Sequence, residues 1–154
     1  MRRPLVAGNW KMHGTRQSVD SLLKGLNQQD WPEGVDVMIA PPALYIQQCH
    51  ASLIKSPVYI GAQSCASQAE PGALTGEVSP AQLRDAGCEY VLVGHSERRS
   101  LFGETDEVVR KKFAAALACG LRPVLCVGET REQRDAGLTA EVVGTQLQII
   151  LDAF

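Results

Sequence analysis

The polar residues that could do chemistry in this chain of 154 residues stand directly after short apolar runs. Asn9-Trp10-Lys11 follows Leu5-Val6-Ala7-Gly8, Gln63-Ser64 follows Val58 to Ala62, His95-Ser96-Glu97 follows Val91-Leu92-Val93-Gly94, and Glu129 follows the run that starts at Val124. Lys11 is a point charge just beyond a buried run, suited to a phosphate or a developing oxyanion, and Asn9 could orient it or donate a hydrogen bond. An ordinary surface lysine fits the same residue. His95 precedes Ser96-Glu97-Arg98-Arg99, which could open a short helix with Ser96 near its cap. A helix N-terminus disfavours a positively charged ring, so His95 could act as a neutral hydrogen-bond donor, although a structural histidine at a strand end is also compatible. Glu97 could join a polar network or form a structural salt bridge with a basic neighbour.

Other chemistries find little support. The cysteines at 49, 65, 88, 119 and 126 are odd in number and contain no Cys-x-x-Cys pair. That argues against a disulfide framework and a zinc site, and suggests a reducing cytoplasm. Cys49, Cys88 and Cys119 read as small buried hydrophobes, not nucleophiles. His13 and His50 show no ligand spacing with His95, so no metal is expected. Neither a Gly-x-Gly-x-x-Gly fingerprint nor a P-loop occurs. With 15 Lys and Arg against 17 Asp and Glu, the net charge of −2 offers no footprint for nucleic acid or an acidic membrane surface. No apolar run approaches the roughly 18 residues of a membrane helix, and Met1-Arg2-Arg3-Pro4 does not lead into a secretory signal. Small molecules or proteins are the expected partners.

The elements that must position these residues alternate between two hydrophobic periods. Leu5 to Trp10, Val35 to Ala40, Val58 to Ala62, Tyr90 to Gly94 and Val124 to Val127 lack polar alternation, as expected of parallel strands covered on both sides. Between them lie helical patterns. Val19, Leu22, Leu23 and Leu26 form one stripe, and Ile46, Cys49 and Leu53 form another within Leu44 to Ile54. Ser79-Pro80-Ala81-Gln82 carries the signature of a capping box with proline at the first helical position, and Gly87 ends that helix. A further helix starts at Thr105, has Asp106 and Glu107 in its first turn, buries Val109, Phe113, Ala116 and Leu117, and stops at Gly120. Arg110, Lys111 and Lys112 are expected on its wet face. Val143, Leu147, Ile150 and Phe154 mark a last amphipathic helix. Five strand-helix units imply a parallel α/β sheet, and the local pattern does not distinguish an open doubly wound sheet from part of a closed barrel.

In either case ligands bind at the carboxyl ends of the strands, where Asn9, Lys11, His95 and Glu97 fall. The stretch Ser64 to Val78, with Pro71, Gly72 and Gly76 and no periodicity, is long for a loop and suits a projecting, partner-binding tip, or else a solvated excursion. Asn9-Trp10-Lys11-Met12, Gly72-Ala73-Leu74-Thr75-Gly76-Glu77, Gly94-His95-Ser96-Glu97-Arg98-Arg99 and Cys126-Val127-Gly128-Glu129, in this order, resemble the triose-phosphate isomerase family.

That resemblance runs along the whole chain. It implies a (β/α)8 TIM barrel and a cytoplasmic isomerase of glycolysis and gluconeogenesis, one that interconverts dihydroxyacetone phosphate and glyceraldehyde 3-phosphate without metal or organic cofactor. Asn9 and Lys11 would bind substrate, with Lys11 favouring the phosphate and the enediolate charge. His95 would be the neutral electrophile that polarises the carbonyl and moves protons among the substrate oxygens; this family is itself the usual illustration of a histidine whose pKa is lowered by a helix N-terminus. Glu97 and Ser96 would support these groups. Thr75 and Gly76, at the loop tip, would enter a neighbouring subunit of a homodimer, with Leu74 standing where the family more usually has Phe. The family's general base follows a sixth strand, and its phosphate-holding glycine segments follow strands seven and eight. No residue of this chain matches them, and Glu129, after the fifth strand, does not match the base motif. The expectation is therefore a single domain over 1–154, an incomplete barrel of about five units. Eight units need roughly 250 residues. Without its base the chain should be close to inactive, since a positioned acid or base contributes about 10²- to 10⁴-fold. A self-associating fragment with unpaired first and fifth strands and a triose-phosphate-binding module without turnover are the alternative readings.

Overall fold

A computed structural model describes residues 3–154. Five parallel strands form one sheet in chain order: β1 (Leu5–Asn9), β2 (Asp36–Ala40), β3 (Val58–Ala62), β4 (Tyr90–Val93) and β5 (Arg122–Leu125). The connections are helical. α1 (Arg16–Asn27) leads from β1 to β2, a 3₁₀ turn (Ala43–Tyr45) and α2 (Ile46–Leu53) lead to β3, α3 (Pro80–Asp85) leads to β4, and α4 (Ser96–Phe102) with α5 (Asp106–Ala118) leads to β5. α6 (Arg131–Asp135) and α7 (Thr139–Leu151) follow. A doubly wound sheet reverses its strand order at a switch point, whereas here each strand adds beyond the last without reversal. That is the order of a barrel wall, and the fold is an incomplete TIM barrel.

The continuous apolar character of the strands follows from burial on both faces. Ile39, Val58, Ile60, Ala62, Val91 and Val93 face the helices, where they pack with Val19, Leu23, Cys49, Leu53, Leu83 and Val109. The alternate positions Met38, Ala40, Tyr90 and Leu92 face the other way and gather Tyr59, Val124 and Cys126. Gly61 lies on this second face, where a Cβ would come within 2.7 Å of the Met38 sulfur, so glycine makes room for Met38. Burial pushes the Cys49 thiol up to about 11 and those of Cys65 and Cys88 to about 12, which keeps all three protonated and inert. Cys119, expected to be buried, is partly exposed because it caps the end of α5.

Local signals set the helix starts. The Ser79 hydroxyl accepts from the Gln82 N–H at 3.2 Å, and the Gln82 side chain accepts from the Ser79 N–H at 2.9 Å, ahead of Pro80. Thr15 with Ser18, and Thr130 with Gln133, form boxes of the same kind, while Thr105 alone caps α5.

Other expectations shift as well: Leu117, expected in the buried stripe of α5, is 43% exposed. β5 begins at Arg122, earlier than the apolar run that starts at Val124, because Tyr90 pairs with Arg122 and Val91 with Pro123. Arg122 and Cys126 donate to the carbonyls of Glu89 and Val93, so even-numbered residues point their N–H toward β4 and the nitrogen of Pro123 faces the open side. β1 is not covered on both faces: Val6 is 60% exposed, since β1 is an edge strand with β2 as its one neighbour among the described residues. In α1, Leu23 is 1% exposed but Leu22 is 46% exposed, so the buried stripe is narrower than the apolar one. Leu23→Ala should cost about 2–5 kcal/mol in urea unfolding followed by circular dichroism, and Leu22→Ala no more than about 0.5 kcal/mol.

Candidate active site

The carboxyl ends of β1, β3 and β4 open into one cavity of about 340 Å³. Asn9, Lys11, Gln63, His95 and Glu97 line it, joined by Arg98 and Phe102 of α4 and by Gly76 and Glu77 of the long loop. Asn9, Lys11, His95 and Glu97, expected at the carboxyl ends of the strands, are all four brought together by the fold. Ser96 does not line the cavity; it opens α4, and its carbonyl accepts from the Ser100 hydroxyl at 2.9 Å. Thr75 is exposed beside the loop's Gly76, whose φ is +91°.

His95 itself is the cap of α4, the place expected for Ser96. Its Nδ1 accepts from the Glu97 backbone N–H at 3.2 Å. An imidazole nitrogen that accepts carries no proton, so in the neutral ring the N–H is at Nε2. The turn that presents the ring depends on Gly94, which has φ +76° and would bring a Cβ within 2.9 Å of the Arg99 guanidinium. Arg99 in turn donates to the Gly94 carbonyl at 2.8 Å and pairs with Asp106 at 2.5 Å, tying the β4 end to the start of α5.

The Lys11 ammonium lies 2.8 Å from Glu97 Oε1, and Glu97 Oε2 lies 3.4 Å from His95 Nδ1. The Lys11 ammonium, through its hydrogen bond, holds the Glu97 carboxyl below the usual carboxylate range, so Glu97 is an anion that fixes the cation. Lys11 is the non-glycine residue with positive φ among the described residues, at 52°, and its N–H donates to Asn9 Oδ1 at 2.9 Å. Glu129 is elsewhere: it pairs with Arg134 at 2.6 Å and accepts from Thr139 at 3.3 Å, and it does not line the cavity. Among the described residues no cluster of three or more His, Cys, Asp or Glu has the arrangement of a metal site, and no helix is long and apolar enough to cross a membrane.

The family model described as triosephosphate isomerase matches residues 4–154. The chain belongs to the triosephosphate isomerase family. Triosephosphate isomerases of two Pseudomonas putida strains are 61% identical over 154 residues, which is 100% of this chain and 61% of their length. A triosephosphate isomerase of Pseudomonas fluorescens is 60% identical over 152 residues, covering 99% of this chain and 61% of its own length. The chain thus spans about 61% of the length of these curated relatives.

Behind the rim of this triosephosphate isomerase family chain lies a cluster that the apolar pattern does not announce. Arg110 and Lys111 occupy the wet face of α5 beside Glu107, as expected, but Lys112 is 5% exposed. Its ammonium lies 2.5 Å from Glu104 Oε1 and 3.1 Å from the Ser64 hydroxyl, and the same carboxylate oxygen takes the Arg98 guanidinium. Burial alone would push the Glu104 carboxyl up, but Lys112 and Arg98 together hold it below its ordinary value. The available signal was helical spacing: Lys112 stands three residues after Val109 and four before Ala116, both fully buried. Since Glu104's folded value is lowered, its stabilising effect is present above the ordinary carboxyl range and is lost as pH falls through the lowered one. Lys112→Met should cost about 3 kcal/mol at neutral pH by leaving Glu104 undercompensated, and melting curves should show the gap to the parent shrinking on acidification as Glu104 becomes neutral.

Proposed function

We propose that these residues supply the electrophile and the substrate-binding cation of a triosephosphate isomerase that interconverts dihydroxyacetone phosphate and glyceraldehyde 3-phosphate through an enediolate, in cytoplasmic glycolysis and gluconeogenesis. The observation that carries the reading is the orientation of His95. With Nδ1 taken by the Glu97 N–H, the neutral ring is left with a donor at Nε2, in the cavity that also holds Lys11. In the reaction a base removes a proton next to the substrate carbonyl and the bonding electrons move onto the carbonyl oxygen. His95 Nε2–H donates to that oxygen, and Lys11 offsets the negative charge of phosphate and enediolate. Glu97 keeps Lys11 in place, Asn9 orients its backbone, and Ser96 begins the helix that His95 caps. His95 then passes a proton from the substrate's hydroxyl oxygen to the former carbonyl oxygen, and return of the first proton to the neighbouring carbon completes an isomerisation that needs neither metal nor organic cofactor.

The base and the phosphate loops belong, on this reading, to the portion of the relatives' length that the 154 residues do not span. Glu129 is unsuited to the part because Arg134 and Thr139 hold it away from the cavity. We assign the described segment to one domain and the working protein to a homodimer. Support for the latter comes from Met12 and Leu44, 94% and 88% exposed, from exposed Leu101 and Phe102, and from the exposed Thr75-Gly76 tip. Apolar side chains this exposed around a cavity mark a contact surface.

The chain alone should turn over triose phosphates barely above background. Combined with the remaining strand-helix units of the Pseudomonas putida relative it should gain isomerase activity in a coupled glyceraldehyde 3-phosphate assay, and His95→Ala should then reduce kcat by about 10²- to 10³-fold. A folded, combined protein without activity would reject the reading, as would full activity of the His95→Ala variant.

A further inference from the structure

We propose that Gln63 is a positioning residue for Lys11, its side-chain amide clasping the left-handed Lys11 backbone and thereby fixing where the ammonium stands in the cavity; this rests on the reading of Lys11 as the substrate's cation. A lysine at φ 52° occupies a conformation that side-chain-bearing residues rarely adopt, and it persists where the surroundings over-determine it. Two side chains do so. Asn9 Oδ1 accepts from the Lys11 N–H at 2.9 Å, and Gln63 Nε2 donates to the Lys11 carbonyl at 2.7 Å, so the peptide groups on both sides of the Lys11 Cα are held.

The same Nε2 also donates to the Ala40 carbonyl at 2.9 Å, which additionally takes the Trp10 N–H at 3.0 Å. A primary amide has two hydrogens, and here each has a carbonyl acceptor. That fixes the orientation of the amide, since turning it over would set Oε1 against two carbonyl oxygens. It also explains the residue type. A glutamate of the same shape would repel both carbonyls, an asparagine would be one methylene short, and a leucine would leave both carbonyls without this partner. Gln63 follows β3 directly, and from there it reaches the end of β2 at Ala40 and the chain beyond β1 at Lys11. The clasp therefore joins three strand ends. At the far end of the Lys11 side chain, the 2.8 Å pair with Glu97 leaves little room for the backbone to drift without moving the charge.

The decisive variant is Gln63→Glu, which keeps the volume, repels both carbonyls when ionised and regains one donor when protonated. Gln63→Leu never donates. In the isomerase assay on the chain combined with the remaining units of the Pseudomonas putida relative, Gln63→Glu should lose about 10²-fold in kcat/KM near pH 8, chiefly through kcat. It should regain about tenfold relative to the parent as pH falls toward about 5.5, since the two carbonyls raise its carboxyl above the ordinary value near 4.3. Gln63→Leu should stay low throughout. Lys11, Glu77, His95, Glu97 and Arg98 line the same cavity in parent and variants alike, so the ratio of variant to parent is the quantity read. On the 154-residue chain alone, the HN–Hα coupling of Lys11, which reports φ, should change in both variants near pH 8 and return in Gln63→Glu on acidification. Equal kcat/KM in parent and variants, an identical loss in both variants at every pH, or an unchanged Lys11 coupling would overturn the clasp. An inactive unaltered combination would instead overturn the isomerase reading, and the Lys11 coupling would still decide the clasp.

Discussion

Parallel hydrogen bonding between neighbouring strands, from Leu5 paired with Asp36 through to Val93 paired with Leu125, makes every strand leave the sheet on the same side. That constraint decides where the chemistry can be. Residues far apart in the chain, Lys11, Gln63 and His95, each stand within two residues of a strand's carboxyl end, so the ladder brings them to one rim. The helices complete the arrangement by covering the face that carries Ile39, Ile60, Val91 and Val93, which seats the rim on a packed core.

On that rim, electrostatics is used in two different ways. Lys11 and Glu97 form a pair that remains about half exposed, which orients a cation without removing it from a ligand's reach. Glu104 and Lys112 form a pair that is almost wholly buried, with Glu104 Oε2 left without a partner among the described residues. A buried pair adds little net stability compared with apolar packing, but breaking it is costly, and so it enforces one arrangement. Arg98 on α4, Lys112 on α5 and Ser64 after β3 are locked to one another through it. The helix that His95 caps is thereby tied to the β3 end, where Gln63 reaches Lys11.

Much of this was legible in the amino-acid order. Hydrophobic period separated strands from helices, and the Ser79-Pro80-Ala81-Gln82 box was found where it was expected, because these signals act over a few residues. The four cavity residues Asn9, Lys11, His95 and Glu97 could be named because each follows an apolar run. What stayed hidden depends on contacts between distant segments. Lys112 looked like part of a basic surface run until Glu104 and Ser64, from other elements, surrounded it. Gln63 looked like a polar strand end, because its acceptors lie 23 and 52 residues away in the chain. Val6 read as a buried strand residue since its pattern carries no information about whether a neighbour stands on the far side of β1.

The candidate site depends most on His95 presenting an Nε2–H donor beside the Lys11 cation. The 15N resonances of its imidazole, measured near neutral pH in the chain labelled at histidine, test this directly. The geometry requires an unprotonated Nδ1, coupled through a hydrogen bond to the Glu97 amide, and a proton on Nε2. A proton on Nδ1 would contradict it, since the ring would then turn a donor toward the Glu97 N–H and leave Nε2 with no proton to offer in the cavity.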